Sequence, residues 1–429
     1  MKRKHAGNAL IRYSSIGMAL ALMACLLLAA CSASKPATPD GYLWKDDTSS
    51  NGRVHVQSVD GSSIGVLSVD EGNAAEVNSV DGTFCVADLQ RVAWHGASLS
   101  GSPDAHRQMA ADNSPSGPLA PPIAPMPPMI RLDRHGQCLF PAGTAQLGII
   151  STSKPSGATV NIGTGNFTWN SLAYAPATDS LALIGDDQFA VVQNVASLGQ
   201  IPTVKVHGTA MGLTADSLSC CAKLSPDGKT LYSIAEVGDT NLSGHTVLGA
   251  FDAATGEFKR VYLPYFPDLP DCSRISDADE HAECEKNSSF PGLDFPPGKS
   301  IELESGEPQA FDLSPDGQTL YALAFIVDSG SDDNQQSQVM AIDTHSGKVT
   351  PLPIVAYGAF AVSASGKYLF VEDATTLTSL YAKGMDNHGK PPAAEKDAKH
   401  PIRVYALPSG QFVRELSGEH LIGALKKLN

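Results

Sequence analysis

Carboxylates recur in this sequence where several could converge on one cation. Asp46 and Asp47, Asp186 and Asp187, Glu236, Asp328, and Glu372 and Asp373 each follow a short apolar run. Asp187, Glu236, Asp328 and Glu372 are the expected metal ligands. The ion they suit is calcium (Ca2+), a hard cation bound through oxygen. Solvation of strand ends and attraction of a basic partner are the plainer uses of the same acids. Two other polar loops carry candidate cation ligands: Asp332, Asp333 and Asn334 beside Asp328, and Asp277, Asp279, Glu280, His281 and Glu283. The first lacks the spacing of an EF-hand. The zinc-helix pattern His-Glu-x-x-His and the glycine patterns of dinucleotide and Walker loops are absent, and Gly163-Thr164-Gly165 reads as a turn.

What would bring the acids together is a repeat. Leu224-Ser225-Pro226-Asp227-Gly228-Lys229-Thr230-Leu231-Tyr232 and Leu313-Ser314-Pro315-Asp316-Gly317-Gln318-Thr319-Leu320-Tyr321 are near copies, and Ser363 to Phe370 is a third. Downstream of each comes a strand and a glycine turn: Asp252 to Gly256, Asp343 to Gly347, and Ala406 to Gly410. Weaker copies begin at Thr38, Ser79, Asp133 and Ala175. Pro fixes φ, Asp bonds its own backbone and Gly takes positive φ, so each copy opens on a turn. Short strands at such spacing predict an all-β chain. One copy per 40–50 residues matches one four-stranded blade. The expectation is a β-propeller of about seven blades, six remaining open, over residues 38–429. Insertions are expected near 113–129, 264–308 and 383–401. The acids would then sit at equivalent strand ends on one face. The run Leu421 to Leu425 would close the ring as a strand, or form a terminal amphipathic helix.

The Ser-Pro-Asp-Gly turn, the Leu-Tyr strand and the Asp-x-x-Thr-Gly turn resemble the YVTN-type (lactonase-like) seven-bladed propellers. The name-giving tetrad is replaced here by Tyr232-Ser233-Ile234-Ala235 and Tyr321-Ala322-Leu323-Ala324. The resemblance implies that each Pro-Asp-Gly turn joins an innermost strand to the second strand.

At the N-terminus, Lys2, Arg3, Lys4 and Arg12 precede an apolar run from Ile16 to Ala30. A basic head, a short apolar middle and a small-residue cut site describe an export signal over residues 1–30. Leu28-Ala29-Ala30-Cys31 is similar to the lipobox of bacterial lipoproteins, with Cys25 as the rival cysteine. That resemblance implies cleavage before Cys31, acylation of Cys31 and a lipidated tether over 31–37. Several acyl chains anchor stably where one does not. Ser32 after the cysteine implies the outer membrane, facing the periplasm. Losing the leader's four cations leaves 26 basic against 45 acidic residues, so the net charge moves from −15 to −19. So acidic a chain is repelled by nucleic acid. Six cysteines would remain for an oxidising compartment. Cys272 and Cys284 flank an acidic loop and are the expected pair, while Cys85, Cys138, Cys220 and Cys221 allow three pairings.

The function expected is that of a membrane-anchored envelope module that binds or scaffolds a protein or small ligand. The alternative is an enzyme. Glu236 is faintly lactonase-like, and Cys220-Cys221 is similar to a vicinal pair of quinone-cofactor dehydrogenases, whose Trp after the Thr-Gly turn is missing at Glu257-Phe258.

Overall fold

The computed structural model describes residues 40–45, 53–68, 74–78, 83–87, 91–95, 107–110, 130–143, 145–151, 158–162, 171–185, 188–195, 201, 204–205, 210–213, 222–237, 245–265, 277–279, 299–303, 311–328, 336–356, 359–372, 401–418 and 420–428. These residues form seven antiparallel sheets. The first holds β1 (Gly41–Lys45), β2 (Arg53–Ser58) and β3 (Ser63–Ser68). The second is β4 (Ala74–Val77), β5 (Phe84–Ala87), β6 (Arg91–His95) and β7 (Arg107–Ala110). The third is β8 (Arg131–Leu132), β9 (Cys138–Gly143), β10 (Gln146–Ile150) and β11 (Ala158–Asn161). The fourth is β12 (Ser171–Ala175), β13 (Ser180–Ile184), β14 (Gln188–Gln193) and β15 (Val204–Lys205). In the fifth, β16 (Ala210–Leu213) and β17 (Lys223–Leu224) share the edge of β18 (Thr230–Val237), which continues to β19 (His245–Asp252) and β20 (Phe258–Tyr265). In the sixth, β21 (Lys299–Leu303) and β22 (Phe311–Leu313) share the edge of β23 (Thr319–Asp328), followed by β24 (Gln336–Asp343) and β25 (Val349–Val355). The seventh is β26 (Phe360–Val362), β27 (Tyr368–Glu372), β28 (Ile402–Ala406) and β29 (Gln411–Leu416). The last strand, β30 (His420–Ala424), returns to the first sheet and pairs with β1.

The sheets are the blades of a β-propeller. Innermost strands touch in sequence: β30 meets β4 and β26, β8 meets β4 and β12, β12 meets β17, and β22 meets β26. Seven apolar clusters occupy the seven seams between neighbouring blades. The Leu-Tyr pair of the repeat explains why. Successive strand residues point to opposite faces, so Leu320 enters the seam with the fifth blade while Tyr321 enters the seam with the seventh. Leu231 and Tyr232 divide in the same way. Every second strand is therefore apolar on both faces.

All seven copies of the repeat precede a second strand, at β1, β5, β9, β13, β18, β23 and β27. The turns also join blade to blade. The Ser225 hydroxyl accepts the Thr230 N–H (2.9 Å) and donates to Asp227 (2.6 Å), and Ser314 does the same with Thr319 and Asp316. Gly317 has φ 73°, and a Cβ there would lie 2.5 Å from the Pro226 ring of the preceding turn. Gly366 (φ 71°) stands against Pro315 in the same way. Asp40 completes the circle by accepting from the N–H (2.9 Å) and hydroxyl (2.7 Å) of Ser365.

Closure follows the strand reading of the C-terminus and not the helical one: Tyr42 pairs with Ala424 and Leu43 with Gly423. The end of the 264–308 insertion is β21, which lengthens the inner edge of the sixth blade. The insertions at 113–129 and 383–400, Cys31, Cys220-Cys221 and the expected pair Cys272–Cys284 lie outside the described residues.

Cys85 on β5 and Cys138 on β9 form a disulfide across the seam of the second and third blades, with Cα atoms 5.8 Å apart. It is one of the pairings that the four remaining cysteines allowed. Closing a loop of 53 residues is worth about 4 kcal/mol in the chain-entropy account. The Cys85→Ala/Cys138→Ala variant is expected to lose roughly 2–5 kcal/mol in urea unfolding. A midpoint unchanged by the substitution or by reductant would show that the bridge constrains nothing.

Candidate functional site

The seven innermost strands surround the channel, and their pairing defines one belt of equivalent positions. Lys223 lies opposite Tyr232, Asp312 opposite Tyr321, and Ala361 opposite Phe370. The same level holds Arg131, Ala173, Glu76 and Gly423. Four of the seven are charged and three are small.

The charges form two pairs. Lys223 Nζ lies 2.8 Å from Asp312 Oδ1, between the fifth and sixth blades. Arg131 Nη1 lies 3.4 Å from Glu76 Oε1, between the second and third. Each carboxylate also ties its blade to the next. Asp312 Oδ2 accepts the Val362 N–H at 2.9 Å, and Glu76 Oε2 accepts the Leu132 N–H at 2.7 Å. Ser171 makes a similar tie, its hydroxyl oxygen accepting the Ala222 N–H at 3.3 Å. Lys223 and Arg131 keep about a quarter of their side chains exposed, 24% and 23%.

Lys426 adds a third cation from the C-terminal tail. Its N–H donates to Val77 O (3.0 Å), and the tail bridges in parallel to Asn78. Buried Leu425 and Leu428 flank it. Burial opposes the charge of Asp312, but Lys223 and Lys426 outweigh burial and hold the carboxyl at about 2. Burial pulls the Lys223 ammonium down, and Lys426 and Arg131 press the same way against Asp312. The Asp312 direction follows from the cations around it, and the Lys223 direction from burial first and those cations second. Arg131 sits two blades from Lys223, and Lys426 enters from the first blade, so these groups share one space.

A second cluster lies in the turns of the third and fourth blades. Asp179, buried with φ 53°, accepts from His135 (3.0 Å) and from the Tyr174 hydroxyl (2.8 Å), and Arg134 approaches at 3.7 Å. Burial raises the Asp179 carboxyl, but its bonds from His135 and Tyr174 carry it below the usual range. Burial pushes the Tyr174 phenol up. The cluster joins two turns and presents a half-exposed imidazole.

The expected cation ligands fall as follows. Glu236, Asp328 and Glu372 stand at or near the ends of the second strands β18, β23 and β27, away from the Pro-Asp-Gly turns, as the repeat requires. Asp187 lies outside the described residues, and of the other three only the Glu372 side chain is described. Its carboxylate accepts the Leu421 N–H at 3.0 Å and faces His420 at 3.3 Å, tying β27 to the closing strand. Among the described residues no group of three His, Cys, Asp or Glu side chains is placed to hold a metal. Asp277 and Asp279 are described, and the Asp277 carboxylate accepts the Asp279 N–H in a local turn.

Gly61-Ser62-Ser63-Ile64-Gly65 has the letters of the serine-hydrolase elbow Gly-x-Ser-x-Gly. An elbow sits between strand and helix. Here the segment is the hairpin between β2 and β3, with Gly61 (φ 87°) in its turn. Sequence reasoning passed over both charged clusters. The one legible sign of the channel cluster is that Lys223 and Asp312 hold the same place before Leu-Ser-Pro-Asp-Gly with opposite charge.

No protein-family model matches the chain, and no curated protein matches it. Similar solved structures include the dihydro-heme d1 dehydrogenase NirN in complex with DHE, at 10% identity and TM-score 0.48, covering 91% of this chain and 76% of that one. A eukaryotic initiation factor is similar at 10% identity and TM-score 0.41, over 90% of this chain and 98% of that one. Neither likeness bears on ligand or activity.

Proposed function

We propose that the chain is an exported, lipid-anchored envelope module that binds a ligand at the channel of its propeller. The observation that carries the reading is the convergence of Glu76, Arg131, Lys223, Asp312 and Lys426 from separate blades on one channel. Placed polar groups in a concavity are what a ligand site needs. Anchoring rests on the sequence before Cys31: the basic head, the apolar run and the small residues at the cut. Replacing Cys31 with Ser is expected to move the chain from the membrane pellet to the soluble fraction after export, and a variant that still pellets would remove the anchor. Binding is tested on the full chain in detergent by thermal unfolding against a panel of anionic, cationic and neutral small molecules. A true ligand at a hundredfold excess over its Kd stabilises by about 2.7 kcal/mol. The Lys223→Met/Asp312→Asn variant should lose that gain. A panel in which no class stabilises the chain ends the reading.

A further inference from the structure

The belt carries two cations and two carboxylates, both carboxylates are committed, and Lys426 of the tail adds a third cation. Glu76 takes Arg131 on one oxygen and the Leu132 N–H on the other. Asp312 takes Lys223 on one and the Val362 N–H on the other. Among the described residues, Lys426 has no ion-pair partner within 4 Å, although it acts at longer range on Asp312 and Lys223. It differs from an ordinary surface lysine. Its backbone is fixed to Val77 and Asn78, and the residues Leu425 and Leu428 around it are buried. Ring closure therefore fixes the Lys426 backbone at the turn-side end of the innermost strands, within electrostatic reach of Asp312 and Lys223. The belt positions on β30 and β26 are Gly423 and Ala361, and the one on β4 is Glu76, already taken by Arg131 and Leu132.

From this geometry we infer that the channel mouth is a site for one small oxyanion, a carboxylate or phosphate group, gripped by Lys426 with Lys223 and Arg131 behind it. The inference rests on the channel-binding reading above and names its ligand class. The oxyanion completes the charge balance of the belt and tail together, three cations against two fixed carboxylates and one bound group. Oxygens of the anion accept from the Lys426 ammonium, whose three N–H donors no described carboxylate occupies. Charge-assisted bonds of this kind are the stronger ones, and they weaken as salt screens them.

The test is calorimetric titration of the full chain in nonionic detergent at low salt, with inorganic phosphate and with succinate in separate arms. One saturable site for either anion is expected, weakening with salt. Phosphate alone binding assigns a phosphoryl group, and succinate alone a carboxylate. Lys426→Gln should weaken binding by about tenfold or more, Lys426→Arg should keep it, and Lys427→Gln, which alters the exposed neighbour, should leave it unchanged. Thermal unfolding of each variant shows that it is folded. Should Lys426→Gln not fold, phosphorus NMR of free phosphate takes its place: broadening by the native chain, relieved by succinate, supports one shared site. No saturable binding of either anion overturns the inference, as does equal binding by a folded Lys426→Gln variant. If the wider panel finds a cationic or neutral ligand and no anion, the oxyanion site falls while the binding module stands.

Discussion

A chain ending at Ser417 is expected to be unfolded or aggregated, although it keeps six of the seven blades. The missing segment includes β30, the innermost strand of the first blade. Without it, β1 exposes an unpaired inner edge, a template for pairing between chains. The seam between the first and seventh blades loses Leu421 and Ala424, the seam with the second loses Leu425, and the cluster around the disulfide loses Leu428. Burying a leucine stabilises by about 1.5–3 kcal/mol, so three of them amount to about 4.5–9 kcal/mol. Domains are stable by about 5–15 kcal/mol in all. Glu372 would also be left buried without the Leu421 N–H it accepts. Size-exclusion chromatography and circular dichroism of the truncated and full chains decide the matter. A monomeric, cooperatively unfolding truncate would mean that the ring does not depend on its closing strand.

Much of this architecture is written locally. Each Pro-Asp-Gly turn needs one glycine at positive φ and one short side chain that bonds its own backbone, and these are visible as letters. The seven copies therefore gave the seven second strands. The turns even reported on contacts between blades, because Gly317 leaves room for Pro226, and Gly366 for Pro315. Blade edges were less legible. Strands β16 and β21 share the edges of β18 and β23 with β17 and β22, so two innermost strands are divided by segments that the repeat does not mark. The terminal run at Leu421 had five apolar-rich residues, too few for periodicity to separate strand from helix. Its partner on β1 lies almost the whole chain away, and that pairing decides its form.

The site was hidden for a related reason. Lys223 and Asp312 are 89 residues apart and meet only because their blades are neighbours. Glu76 and Arg131 belong to the weak copies, where the repeat sets the position but not the letters. Acids at strand ends draw attention because they cluster along the sequence. A belt draws none, since each blade contributes one residue to it. Glu372 shows the same lesson from the other side: its carboxylate meets a backbone N–H and an imidazole supplied by the distant closing strand.

Lys223→Met is expected to destabilise the protein more than Lys223→Met combined with Asp312→Asn. Asp312 is 5% exposed, and the single change leaves its carboxylate in place without its nearest cation. Breaking a buried pair from one side costs about 3–5 kcal/mol. The lower end, about 3 kcal/mol, is expected here because Lys426 still acts on Asp312. In the double variant, the introduced amide would be neutral and its oxygen would still accept the Val362 N–H, so the loss should stay near or below about 1 kcal/mol. Acid gives an independent reading. The Asp312 carboxyl is depressed from 3.8 to about 2 in the folded chain. A depressed carboxylate stabilises the fold above its unfolded pKa, and that stability is lost as pH falls through the folded value. The contribution is about 2 kcal/mol, present at pH 5 and gone by about pH 1. Urea midpoints of the native chain minus those of the double variant should therefore fall across pH 4 to 2. A flat difference over that range, or a single variant no weaker than the double, would show that Asp312 carries no buried charge and that the belt is held by packing alone.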